Sequence, residues 1–78
     1  MLAFNRSGFK DLFICLADAS NAIFRKAKLA GSRFYRANLK EADFSGADLS
    51  SASLEDTSLV DVLFTNANLN VSTVLKFN

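Results

Sequence analysis

Large apolar residues recur at every fifth position of the chain, from Phe4 to Val74, with one lapse at Ala19. The series reads Phe4, Phe9, Ile14, Ala19, Phe24, Leu29, Phe34, Leu39, Phe44, Leu49, Leu54, Leu59, Phe64, Leu69, Val74. Two residues before most of them stands a small one: Ala17, Ala22, Ala27, Ser32, Ala37, Ala42, Ala47, Ala52, Ala67 and Ser72. Fifteen such units follow one another with no insertion or deletion. An α-helix cannot bury this set, because positions five apart are rotated by roughly 140° and would smear around the cylinder. A flat strand cannot bury it either, since an odd period sends successive units to opposite faces. A chain that turns a corner once per unit can. Within each unit the small and the large residue are two apart and face the same side, and the bend restores inward orientation for the next pair.

Corner chemistry fits this geometry. Two positions after the large residue stand Asp11, Asn21, Gly31, Gly46, Asp56, Asp61 and Asn66, residue types that tolerate tight or left-handed backbone. Proline is absent, as expected where backbone N–H groups pair between stacked turns. A twenty-residue coil would gather Phe4, Phe24, Phe44 and Phe64 into one column, and Leu29, Leu49 and Leu69 into another. The full expected core ladder adds Phe34, Leu39, Leu54 and Leu59.

The units Ala37-Asn38-Leu39, Ala42-Asp43-Phe44, Ala47-Asp48-Leu49 and Ala67-Asn68-Leu69 resemble the A-(D/N)-L-X-X signature of the pentapeptide-repeat family. The resemblance runs over residues 2–76 and implies an all-β fold, a right-handed quadrilateral parallel β-helix of a little under four coils. Its start departs from the signature, with Leu2 and Leu12 in the small-residue slot, so the first coil is expected to be irregular. Residues 1–78 read as one solenoid domain, whose stability adds coil by coil rather than through a single ball-shaped core.

Net charge is only +1, but its distribution is uneven. Residues 1–40 hold eight Lys and Arg against two Asp; residues 41–78 hold one Lys against six Asp and Glu. In a solenoid this becomes a basic end and an acidic end. One cysteine, Cys15, permits no internal disulfide and fits a reducing, cytoplasmic compartment. No stretch is apolar for the 18 or so residues of a membrane-spanning helix, and no membrane contact is expected. The run Leu12–Ala17 after Lys10 loosely imitates a secretion signal, but Asp11 precedes it and the repeat frame passes through it.

Catalysis is not expected. With no histidine there is no Ser-His or Cys-His pair, and no metal-ligand spacing. The three glycines, Gly8, Gly31 and Gly46, are isolated and form no phosphate loop. No cofactor is implied. A protein-interaction role fits better, through Phe13, Leu16 and Tyr35 at outward positions and the cations Arg25, Lys26, Arg33 and Arg36. The resemblance also implies an alternative, since some larger family members imitate duplex DNA and bind type II topoisomerases such as gyrase, conferring quinolone resistance. A third reading is nucleic-acid binding through the basic second coil, disfavoured because Lys28 and Arg36 would lie beside Asp48 and Asp56. Solenoid ends expose unpaired backbone and apolar columns. Val74, Leu75 and Phe77 are therefore expected to support end-to-end self-association.

Overall fold

The computed structural model describes residues 18–70. Within them the chain bends once in every unit, and always at the same place. The second corner residue has positive φ in all ten units: Asn21, Lys26, Gly31, Arg36, Glu41, Gly46, Ser51, Asp56, Asp61 and Asn66, between 55° and 74°. The N–H after each corner donates to the carbonyl of the large residue before it, as in Ala47 to Phe44 at 3.0 Å. Positive φ at the third residue of such a turn is the mark of type II. The corner is therefore dictated by the five-residue spacing and not only by glycine or asparagine. Lys26, Arg36, Glu41 and Ser51 adopt the left-handed conformation without being residues that favour it.

This stored cost yields a testable outcome. Ser51→Gly should raise stability by about 0.5–1 kcal/mol, the left-handed penalty of roughly 1–2 kcal/mol less the entropy cost of glycine. Ser51→Val, β-branched at the same φ of 59°, should lower it. Urea midpoints of the two variants decide the matter.

Each unit's flat side pairs in parallel with the unit twenty residues on: Asp18 with Asn38, Ile23 with Asp43, Lys28 with Asp48, Arg33 with Ser53, and so on to Asp48 with Asn68. Four units therefore close one coil. Hydrogen bonds run both ways between coils, for example Phe24 N to Asp43 O at 2.7 Å and Asp43 N to Ala22 O at 3.0 Å. A third bond joins the corners, as Lys26 N to Ser45 O at 2.9 Å. Backbone donors are thus satisfied by the neighbouring coil, which is why a two-residue bridge per side suffices in place of long strands.

The four sides can be named by their inward columns. Face 1 carries Phe24, Phe44 and Phe64; face 2 Leu29, Leu49 and Leu69; face 3 Phe34 and Leu54; face 4 Ala19, Leu39 and Leu59. Phe24 and Phe44 stack at 4.6 Å with planes 3° apart, and Phe44 and Phe64 at 5.6 Å and 10°. Phe34 reaches across from the opposite face and meets Phe24 and Phe44 edge-on, at 5.8 and 5.7 Å. Phe24, Leu29, Phe34, Leu39, Phe44, Leu49 and Leu54 are fully buried, with the alanine columns beside them. Ala19, the one undersized central residue, is buried as well.

The ladder loosens at one end. Leu59 and Phe64 are only partly buried. Leu69, the last described member of the face 2 column, is 41% exposed. No described residue stacks beyond it. Phe4 lies outside the described residues.

Among the described residues two units break the small-residue rule, and the turns register it. Thr57 and Val62 replace alanine, and their turn bonds stretch to 3.4 and 3.3 Å, against 2.9–3.1 Å at the alanine and serine units. A β-branched side chain in that slot pushes its segment outward. Thr57 is fully buried, and its Oγ1 donates to Leu54 O at 2.8 Å, so the hydroxyl is not left unpaired.

Candidate interaction surface

With the interior filled, outward chemistry comes from three positions per unit: the middle of each flat side and the two corner residues. The middle position explains the Asp and Asn of the repeat. Asp18, Asn38, Asp43, Asp48 and Asn68 each place Oδ1 2.9–3.1 Å from the backbone N–H two residues on, at Ser20, Lys40, Ser45, Ser50 and Asn70. That donor is the first corner N–H, which the coil-to-coil pattern leaves over. Asn38 Nδ2 also reaches Asp18 Oδ1 at 3.4 Å, linking two coils on face 4.

These contacts set the acid behaviour. The Ser20 hydroxyl and N–H hold Asp18 below the ordinary carboxylate range, and Ser50 does the same for Asp48. Partial burial pushes Asp43 up, but Ser45 and the neighbouring Arg25 outweigh it and leave it lowered. A depressed folded-state pKa contributes stability that is present above the unfolded value and lost as pH falls through the folded one. The fold should hold its stability from neutral pH to about pH 5 and lose it progressively as pH falls through the lowered pKa values of these carboxylates. Asp48→Asn, which keeps the corner bond as Asn38 and Asn68 do, should flatten that loss in melts recorded between pH 2.5 and 7.

Cations and acids occupy successive coils. Arg25 Nη1 donates to Asp43 Oδ2 at 3.2 Å. Lys28 is bridged in register to Asp48. Arg36 donates its N–H to Glu55 O at 2.9 Å, one residue from Asp56. Arg25, Lys26, Lys28, Arg33 and Arg36 are exposed, but they do not share a face; they ring the coil. The four cations named as partner-binding candidates are thus spread over one face and two corners: Arg25 and Lys26 share a corner, Arg33 stands on face 3, and Arg36 is at the corner beyond it.

The apolar candidates fare differently. Tyr35 stands exposed at the corner between faces 3 and 4, 42% accessible. Phe13 and Leu16 lie outside the described residues, as do Val74, Leu75 and Phe77. Two residues that the sequence reading missed join Tyr35: Val60, 41% exposed at the corner between faces 4 and 1, and Leu63, 52% exposed in the middle of face 1. Tyr35 and Val60 flank the polar ladder of Asp18, Asn38 and Ser58 on face 4. The signal for them was available, because large apolar residues outside the two inward positions have no place in the core.

Among the described residues no cluster of His, Cys, Asp or Glu could hold a metal ion, and no helix is long and apolar enough to cross a membrane.

Parallel pairing at twenty residues, a left-handed corner every five and an alanine-flanked aromatic column define a four-sided β-solenoid. The family model for the pentapeptide repeat region matches residues 17–78, and the chain belongs to the pentapeptide-repeat family. The fold is the right-handed quadrilateral β-helix of that family, as in the solved structures it resembles. One is a pentapeptide repeat protein of the cyanobacterium Cyanothece 51142, 25% identical, with a TM-score of 0.73, 92% of this chain and 54% of that one being covered. Another, from Nostoc PCC 7120, is 28% identical with a TM-score of 0.57, covering 90% and 62%. A third comes from the thylakoid lumen of Arabidopsis thaliana, 26% identical with a TM-score of 0.55, covering 94% and 58%. The chain thus spans little more than half the length of these relatives. No curated protein matches it.

Proposed function

We propose that the chain is a non-catalytic protein-interaction module, a rigid β-solenoid that presents flat faces to a protein partner in a reducing, cytoplasmic setting. The observation that carries this reading is the combination of a closed interior with large apolar side chains held outside it. Phe24, Phe34, Phe44 and the leucines between them fill the core, while Tyr35, Val60 and Leu63 stand on a backbone bonded coil to coil. Apolar groups displayed on a rigid surface lose little entropy when a partner covers them. End-to-end self-association, expected of Val74, Leu75 and Phe77, belongs to the same proposal.

The duplex-mimic and nucleic-acid readings draw less support. A mimic needs a continuous acidic face, and the described residues carry cations and acids on successive coils instead. Asp48 lies in register with Lys28, so neither sign of charge runs uninterrupted along the axis of face 2.

Capture experiments with two variants test the proposal. Tyr35→Ser/Val60→Lys/Leu63→Lys should abolish partner recovery. Arg25→Glu/Lys26→Glu/Arg33→Glu should leave it intact. Loss on charge reversal alone, or salt-sensitive retention on DNA that disappears with it, would refute the reading. Sedimentation as a monomer at high concentration would refute the self-association part.

A further inference from the structure

The corner between faces 1 and 2 differs from the other three. Its stacked pairs are Arg25–Lys26, Ser45–Gly46 and Thr65–Asn66, held in register by Lys26 N to Ser45 O at 2.9 Å and Gly46 N to Thr65 O at 2.8 Å. The corner at Tyr35 and Arg36 is faced by Glu55 and Asp56, and the corner at Lys40 carries Glu41 and Asp61. Ala30, Gly31, Ser50 and Ser51 make the fourth, which is neutral. Among the described residues, only the first corner holds cations without a carboxylate of its own.

It is also hollow. A groove of about 410 Å³ is lined by Arg25, Lys26, Ser45, Gly46, Leu63, Thr65 and Asn66. Gly46 keeps it open: a Cβ there would stand 3.3 Å from Lys26 Cγ, so the lysine stem lies across the bare glycine. Among the described residues nothing pairs with the Lys26 ammonium. Arg25 gives one N–H to Asp43 and retains the rest of its fork. Ser45 gives its backbone N–H to Asp43 Oδ1 at 2.9 Å, and the Thr65 hydroxyl and the Asn66 amide line the groove as neutral donors from the next coil.

We propose that this groove binds a phosphate monoester. The free guanidinium N–H groups of Arg25 and the Lys26 ammonium take the phosphate oxygens, Thr65 and Asn66 close the remaining side, and Leu63 forms an apolar wall for the ester substituent. Donors arriving from different coils suit a tetrahedral oxyanion rather than a planar carboxylate. A phosphate monoester also carries about −1.5 to −2 charges near neutral pH, which a corner of two cations attracts more strongly than a single charge. Asp43 opposes this from face 1, and its carboxylate is the group that limits affinity. The proposal does not depend on the protein-partner reading, because its charged and polar groups lie on a different corner, although Leu63 belongs to both surfaces.

The test is an amide-resolved NMR titration of the full chain with phenyl phosphate and, separately, inorganic phosphate, with ionic strength matched by sodium chloride. Saturable shifts confined to Lys26, Gly46, Thr65 and Asn66 are expected, with phenyl phosphate bound more tightly. Lys26→Gly, which relieves its left-handed backbone and so keeps the fold, should weaken binding roughly tenfold, the loss of one charge-assisted bond. Asp43→Asn should tighten it severalfold. Leu63→Ser should erase the preference for phenyl phosphate. Shifts that follow ionic strength and spread over Lys28, Arg33, Arg36 and Lys40 would overturn the proposal, as would unchanged binding in Lys26→Gly. Equal affinity for the two ligands would overturn the assignment to a monoester.

Discussion

Phe44→Ala is expected to remove about 3–5 kcal/mol, the usual cost of truncating a buried phenylalanine. Few residues in the chain are so connected. Phe44 stacks on Phe24 below and Phe64 above, and receives the edge of Phe34 from the opposite face. Its neighbours cannot collapse into the vacancy, because each is pinned by the bonds of its own coil. Total stability for a domain of 78 residues is on the order of 4–12 kcal/mol, so the variant should lose a quarter or more of it and have a much lower urea midpoint. Phe44→Leu should cost only about 1–2 kcal/mol, because leucine already fills the same position on face 2 and what is lost is mainly ring contact. Urea titrations followed by tyrosine fluorescence and far-ultraviolet dichroism distinguish the two. Equal losses would mean that the aromatic stack, rather than filled volume, holds the column.

Deleting one residue from a flat side should be worse still. Without Asp48, Ala47 and Leu49 become neighbours, and adjacent residues of an extended segment cannot both face inward. Either a leucine or an alanine must leave the core, and every later unit is displaced from its partner twenty residues back. No cooperative transition is expected from this variant. Deleting five residues, 47–51, keeps the small and large positions in phase and only shifts later units by one face. That variant should still unfold cooperatively, at a lower midpoint. If both deletions unfolded alike, the five-residue unit would not be the element of structure.

The period of the apolar residues made the fold legible because it excludes both ordinary secondary structures before any propensity is weighed. The coil of twenty was less visible, since alternation of Phe and Leu every ten residues imitates part of it; parallel pairing of Ile23 with Asp43 fixes it. Corner residues were only partly readable. Gly31 and Asn21 announce left-handed backbone, whereas Lys26, Arg36 and Glu41 do not, and there the hydrogen bonds of the coil override local preference. Leu69 could not be ranked below Leu49 from the pattern, because burial depends on what stacks above it. The outward surface was the hardest to read. Register decides which exposed residues become neighbours, so the hollow beside Gly46, lined from three successive coils, appears only once the coils are in place.

Every backbone hydrogen bond between coils of the described residues joins positions nineteen or twenty-one apart in sequence, as Ala19 to Asn38 and Asp43 to Ala22 do. No backbone hydrogen bond therefore ties the first described coil directly to the last. Under tension such a molecule would come apart from its ends inward, one loop of about twenty residues at a time, each release leaving the remaining stack intact.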